Sequence, residues 1–281
     1  PMQHLYSECD KLGMVAWVDF PFVRAPFLSD IPYYSTARFE ENGLRQLHEI
    51  VLQNINHPSV AMWGIFSMLR GNSKQQMEYI RKLNSTAKKL DTTRPTVAMS
   101  NQDGEINFIT DGVALRQNVG WQKGMAEDVV VWCRQLASKR EWRTAHFGVC
   151  YGEEGAITHV ADNLQRAEQG ARFRPERAQT LMHESYAQLL SESGIFWGVW
   201  LNNMFDYLSP YRGESMNYSG LVCFDHTTPK DAYFLYRALW NKSEPTLYIA
   251  ERRWKSRCDA LQTIRVYSSV ERPTLVVDRD S

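Results

Sequence analysis

Near the middle of the chain, His146 to Gly155 reads HFGVCYGEEG, which places a thiol at Cys150 three and four residues before the carboxyls of Glu153 and Glu154. Cys150 attacks an electrophile only as a thiolate, which needs a depressed pKa and a partner acid or base. His146 and His159 flank it in sequence, with neither at a committed spacing. Glu153 and Glu154 can work as acid, base or nucleophile if a second carboxyl faces them, at about 5 Å for a retaining displacement or roughly 6.5 to 9.5 Å for an inverting one. Asp19, in Trp17-Val18-Asp19-Phe20-Pro21, is the candidate second carboxyl, or alternatively the cap of a turn before Pro21. Arg116, Asn118 and Asn202 add a fixed positive charge and amides able to hydrogen-bond hydroxyls. Trp200, two residues before Asn202, shares its face of a strand one layer deeper, as core or as a stacking surface.

These residues must be held by alternating strands and helices. Short apolar strands are expected at Met14–Phe20, Ser59–Phe66, Thr96–Met99, Asp111–Leu115, Ala145–Tyr151 and Gly194–Leu201. Between and around them, helical periodicity covers Leu5–Leu12, Phe39–Gln53, Ser73–Leu90, Met125–Ala137, Pro175–Leu190 and Lys230–Trp240. Such alternation argues for a parallel α/β sheet, and in barrels of this kind chemistry gathers at the C-terminal strand ends. Asp19, Arg116, Cys150 and Asn202 all fall there. Leu261–Ser269 and Thr274–Asp278 alternate like strands of a further domain.

At 281 residues, 43% hydrophobic and 12% aromatic, the chain can bury a large core. Thirty-two basic residues balance thirty-two acidic ones without a basic run, so nucleic acid and anionic membranes are not expected partners. The five cysteines are odd in number and lack CxxC or metal spacing, which reads as free thiols. No apolar run reaches the roughly 20 residues of a membrane span, and compartment and oligomeric state stay open.

The run Asn56 to Met68, NHPSVAMWGIFSM, resembles the family 2 glycoside hydrolases, the β-galactosidase and β-glucuronidase group, whose motif is NHPS followed by a strand ending W-x-x-x-N-E. Asp91-Thr92-Thr93-Arg94-Pro95, Phe205-Asp206, Gly220-Leu221-Val222 and Pro229-Lys230-Asp231-Ala232-Tyr233 also match scaffold positions. The resemblance implies a (β/α)8 TIM barrel over residues 1–245, as a fragment lacking the first two strands, with a linker and the start of a β-sandwich over 246–281. It implies hydrolysis of O-glycosyl bonds by a retaining mechanism, an oligosaccharide or glycoside as substrate, and a divalent cation such as Mg2+ in some members. Under it, Ser67 and Met68 stand for the motif's Asn and its acid/base Glu, and aligning Tyr151-Gly152 places Cys150 at the nucleophile. Asp19 falls at a Glu lining the sugar site, Arg116 and Asn118 replace an Asn and a Tyr, and Trp121 persists. Asn202 replaces a platform Trp beside Asn203, and Asn217-Tyr218-Ser219-Gly220 lacks the lysine of the glucuronide-gripping N-x-K-G. Three readings remain open: a glycosidase with displaced carboxylates at Glu153 or Glu154, a sugar-binding pseudoenzyme whose contacts include Asp19, Arg116, Asn118, Trp121, Tyr151, Asn202 and Asn203, and a Cys150-dependent enzyme.

Overall fold

The computed structural model describes residues 3–22, 36–69, 71, 73–116, 119–120, 124–139, 142, 146–161, 164, 173–194, 196–209, 216–257, 261–274 and 276. Helix α1 (Gln3–Leu12) leads into β1 (Ala16–Asp19), followed by α2 (Ala37–Asn54), β2 (Val60–Ser67), α3 (Lys74–Leu90) and β3 (Thr96–Ser100). After a single 3-10 turn come β4 (Gly112–Leu115), α4 (Asp128–Ser138), β5 (His146–Tyr151), α5 (Glu176–Ser193) and β6 (Val199–Leu201). A hairpin, β7 (Tyr207–Leu208) and β8 (Met216–Asn217), then precedes α6 (Asp231–Trp240), β9 (Leu247–Ile249) and β10 (Val266–Ser268). All six expected strands and all six expected helices form; the hairpin and β9 had no alternation long enough to announce them. The alternating run 261–269 contracts to β10, and most of 274–278 lies outside the described residues.

The first six strands make one sheet in sequential order β1 to β6. Neighbours from β1 through β5 pair in parallel, and β6 is reached through Val149 N–H donating to Gly198 O at 3.1 Å. That is the βαβ repeat of a TIM barrel, with six of its eight strands among the described residues. The chain divides into two compact units: Pro1–Gln117 with Ala137–Cys150 and Ile195–Trp200, and Asn118–Leu136 with Tyr151–Gly194 and Leu201–Ser281.

In the first unit β2 is buried at Val60, Trp63, Gly64, Ile65 and Phe66, the signature of a strand covered on both faces. Helix α2 turns Gly43, Leu47 and Val51 inward and starts at Thr36, whose side chain accepts from Phe39 N. A Cβ at Gly43 would lie 1.8 Å from Tyr79 Oη of α3, so only glycine permits this approach of the two helices.

Residues of the NHPS and Asp91–Pro95 runs form bonds at the strand starts. His57 bonds Asp10 Oδ2 at 2.6 Å and Gln3 Oε1 at 3.0 Å, while Asp10 Oδ1 accepts Ser59 N–H at 2.9 Å, tying α1 to the entrance of β2. Asp91 accepts from Trp63 Nε1 at 3.0 Å, Thr93 N at 2.9 Å and Arg94 Nη1 at 2.8 Å. Arg94 reaches on to the carbonyls of Ile55 and His57. These bonds satisfy backbone groups that the turns before β2 and β3 would otherwise bury unpaired.

In the second unit Tyr248 and Tyr267 of the β9–β10 pair pack on Leu235 and Ala238 of α6. Arg253 Nη1 lies 2.9 Å from Glu176 Oε1 and 3.6 Å from Asp231 Oδ1, and Tyr248 Oη donates to Asp231 at 2.7 Å. Residues 246–253 are therefore fastened to the starts of α5 and α6.

Candidate functional site at the strand ends

In the first unit, the C-terminal ends of β1, β2, β4 and β5 carry Asp19, Met68, Arg116 and Cys150. Asp19 Oδ1 accepts from Trp17 Nε1 at 2.6 Å. Alternation puts both side chains on one face of β1, and Gly64 of β2 makes the room: a Cβ there would sit 1.9 Å from Asp19 Oδ1 and 2.3 Å from Trp17 Nε1. Trp17 meets Trp200 of β6 edge-on at 4.9 Å, and Trp200 meets Trp197 at 5.0 Å. Gly148 of β5 gives way to the same indole, since its Cβ would lie 2.5 Å from Trp200 Cζ3. Two glycines thus admit a tryptophan wall beside one carboxylate.

Met68 is half-buried with φ of 54°, a left-handed conformation that costs a side-chain-bearing residue roughly 1 kcal/mol or more. Its N–H donates to Met99 O at 2.8 Å, which holds the backbone in place. The Cys150 thiol is 3% exposed. Burial pushes it up to about 11, with Arg116 opposing and Asp19 adding to that rise. Both charges are therefore felt at the thiol.

In the second unit, Tyr151 packs into the interior. It is 2% exposed, its hydroxyl lies 2.7 Å from that of Tyr236, and its ring stacks on Tyr186 at 4.1 Å. Tyr236 in turn bonds His183 Nδ1 at 2.8 Å, and burial drives that imidazole down to about 3. Glu153 and Glu154 are buried too, at 2% and 3% exposure. Glu153 Oε1 accepts Glu154 N–H at 2.7 Å, and its carbonyl accepts Gln179 Nε2 at 2.9 Å, the same nitrogen that reaches Gly220 O at 3.0 Å. Burial raises the Glu153 carboxyl well above the usual carboxylate range.

Asn202 N–H donates to Tyr151 O at 2.8 Å, and the Asn202–Asn203 peptide bond is cis. Asn203 Nδ2 donates to Ser219 Oγ at 3.0 Å. Asn118 and Trp121 lie outside the described residues. The sequence reading missed one strong feature here, the fully buried Lys230, whose Nζ donates to Asp206 Oδ1 at 2.7 Å and Tyr218 O at 2.9 Å. Lys230 and Asp206 both sit in motifs read as scaffold, and a lysine just ahead of an apolar helix was the available signal. Among the described residues no three His, Cys, Asp or Glu side chains converge in a group that could hold a metal ion. No described helix is long and apolar enough to cross a membrane.

Comparison with known proteins places this geometry. The chain is 35% identical over 280 residues to a β-glucuronidase of Bacteroides fragilis, a match covering 98% of this chain and 40% of that protein. An FMN-binding β-glucuronidase from Faecalibacterium prausnitzii L2-6 superposes with a TM-score of 0.85 at 29% identity, over 95% of this chain and 41% of that one. A Bacteroides uniformis β-glucuronidase superposes at 0.75 with 27% identity, over 90% and 31%. The chain thus spans about two fifths of the length of the first two relatives. The description "Glycosyl hydrolases family 2, TIM barrel domain" matches residues 2–244, and with strand order, strand-start motifs and relatives in agreement, the chain belongs to that family.

Proposed function

We propose that this barrel binds glycosides without cleaving them by the family's retaining mechanism. The observation that carries the reading is the pair of side chains at the ends of β2 and β5, Met68 and Cys150, taken as occupants of the acid/base and nucleophile positions. A thioether neither holds nor delivers a proton. A thiol pushed up to about 11 is ionised to only about one part in ten thousand at neutral pH. Glu153 and Glu154 offer no ready replacement: both are buried, and the Glu153 carboxyl already accepts Glu154 N–H. The contacts for sugar are Asp19, Arg116 and the indoles of Trp17 and Trp200, which combine a hydroxyl acceptor, a fixed cation and an apolar wall.

Calorimetry with methyl β-galactoside and methyl β-glucuronide tests the binding: heat should be measurable with at least one, and Arg116→Ala and Asp19→Asn should each weaken it roughly tenfold. Aryl β-glycosides should not turn over until Met68→Glu and Cys150→Glu are introduced together. A second reading, hydrolysis through Glu153, draws on its raised pKa, which suits a general acid. Turnover by the unaltered chain that Glu153→Gln abolishes would establish that reading and overturn the first.

A further inference from the structure

Three places in the chain put an acid or amide side chain directly before a glycine: Asn42-Gly43, Asp103-Gly104 and Asp111-Gly112. In such a pair the glycine nitrogen, unshielded by a Cβ, can close on the preceding side-chain carbonyl carbon to form an imide ring. Folding decides where that closure is open, because the nitrogen must be released from any backbone hydrogen bond and the side chain must swing over it.

Two of the pairs are closed by their surroundings. Asn42 and Gly43 lie inside α2, and Asn42 Oδ1 accepts from Arg45 Nη2 at 2.7 Å. Asp111 Oδ2 accepts from Thr96 N at 2.9 Å and Thr96 Oγ1 at 3.0 Å, and its Oδ1 accepts from Lys88 Nζ. Gly112 is buried in β4, paired with Val97 on one side and His146 on the other. Asp103-Gly104 differs on every count. It lies between β3 and the 3-10 turn Glu105–Phe108, and Asp103, Gly104 and Glu105 are all exposed. Gly104 has φ of 101°, in the region that favours glycine, and no atom lies within 4 Å of where a Cβ would stand. Neither the Asp103 carboxyl nor the Gly104 N–H is hydrogen-bonded among the described residues. The residue before the pair is tethered instead: Gln102 Nε2 donates to Leu69 O at 2.7 Å and Gly71 O at 3.0 Å, and Gln102 O accepts from Asn107 Nδ2 at 2.8 Å. Leu69 and Gly71 follow Met68 at the end of β2.

We infer that Asp103-Gly104 is a site of spontaneous isoaspartate formation, and that the isomer loosens the Gln102 tether beside Met68. The Gly104 nitrogen attacks Cγ of the protonated Asp103 carboxyl; the N–Cγ bond forms, the Cγ–OH bond breaks, and the hydroxyl leaves with the amide proton as water. Water then adds to the main-chain carbonyl carbon of Asp103, and the bond from that carbon to nitrogen breaks. The chain now runs through Cβ and Cγ, one methylene longer, with the former carbonyl a free α-carboxylate and the Gly104 N–H restored. Mass and oxidation state are unchanged, and no cofactor is consumed. The new α-carboxylate is the group that an isoaspartyl methyltransferase esterifies, with S-adenosylmethionine as methyl donor.

The test keeps the full chain and its Asp103→Glu variant, whose longer side chain does not readily close the ring, in warm neutral buffer, both folded and in urea. Digestion after Glu105 separates the two Asp-Gly pairs, and isoaspartate in each peptide is read by methyl transfer from labelled S-adenosylmethionine. In the folded parent, isomer should build up at Asp103 at least about tenfold faster than at Asp111, a barrier difference of about 1.4 kcal/mol. In urea the two rates should converge, chiefly because Asp111 speeds up. Asp103→Glu should remove the Asp103 signal, and the aged parent should unfold at a lower urea midpoint than the equally aged variant. The inference is overturned if Asp103 does not isomerise in the folded chain, if Asp111 keeps pace with it there, or if urea accelerates Asp103 as much as Asp111. An aged parent rich in isoaspartate that keeps its midpoint overturns the loosening of Gln102.

Discussion

Replacing Lys230 by methionine isolates the buried ion pair that shapes the second unit. The ammonium has no exposure and Asp206 is 4% exposed, with 2.7 Å between Nζ and Oδ1. Once Nζ is gone, the carboxylate keeps Gly220 N–H at 2.8 Å as its donor, and Tyr218 O loses a donor as well. Taking one partner from such a pair leaves an uncompensated charge in low dielectric and costs about 3–5 kcal/mol. Against a total stability of roughly 5–15 kcal/mol, that is a large fraction. Urea unfolding followed by tryptophan fluorescence should therefore show a much lower midpoint at unchanged slope for Lys230→Met. Adding Asp206→Asn to it should recover part of the loss, because no buried charge then remains. The sign of the pH effect is fixed by Asp206, whose carboxyl is already raised by burial and only partly held down by Lys230. A raised acid favours the fold when protonated, so the variant's deficit should shrink as pH falls below neutral and grow again as the carboxyl ionises. A loss under about 1 kcal/mol, with the slope unchanged, would falsify the claim that this pair is buried and mutually dependent.

Gly64→Ala should cost about 1–3 kcal/mol and disturb glycoside binding, since its methyl would lie 1.9 Å from Asp19 Oδ1; a variant that binds as the parent does would mean Asp19 is not in the site. Iodoacetamide at mildly alkaline pH should leave Cys150 and Cys133, pushed up to about 11 and about 12, unmodified until urea is added; rapid modification of Cys150 in the folded chain would revive it as a nucleophile. Asp10, held down at about 2 chiefly by His57, stabilises the fold above its unfolded value near 3.8 and loses that effect as pH falls through about 2. Asp10→Asn should accordingly lower the unfolding midpoint at neutral pH and match the parent at the acid end; parallel curves at every pH would show that the bond to His57 contributes nothing.

Elements whose cause is local were legible in the sequence. Helix α3 has a serine cap, buried residues at Tyr79, Ile80, Leu83 and Ala87, and Lys88 and Lys89 in its last turn, all of which periodicity and capping rules read directly. The β7–β8 hairpin has two residues per strand and no alternation to detect, and its frame comes from Asp206 and Lys230, 24 positions apart. Burial was the other gap. Glu153 and Glu154 look in sequence like carboxyls available for chemistry, and nothing local reveals that Gln179 of α5 closes over the Glu153 carbonyl. Nothing local in the sequence shows that Tyr186 and Tyr236 pack against Tyr151.

The two ends of the strands answer to different energetics. At the strand starts, Asp91 alone accepts from Trp63, Thr93 and Arg94, and Arg94 carries two backbone carbonyls; loss of either leaves several buried groups unpaired, at about 1–3 kcal/mol each. Such residues cannot be exchanged singly. At the strand ends the constraint runs the other way. A buried carboxylate needs partners, whereas a buried thiol behaves as a small apolar group and a half-buried thioether has no strong hydrogen bond to lose. Met68 and Cys150 place no charge at these strand ends, and the Met68 N–H bond to Met99 O holds the β2 terminus in its left-handed turn. Side chains without a charge are accommodated at those positions at little cost to folding, while the Asp19 carboxylate is held by Trp17 Nε1 in the space that Gly64 leaves.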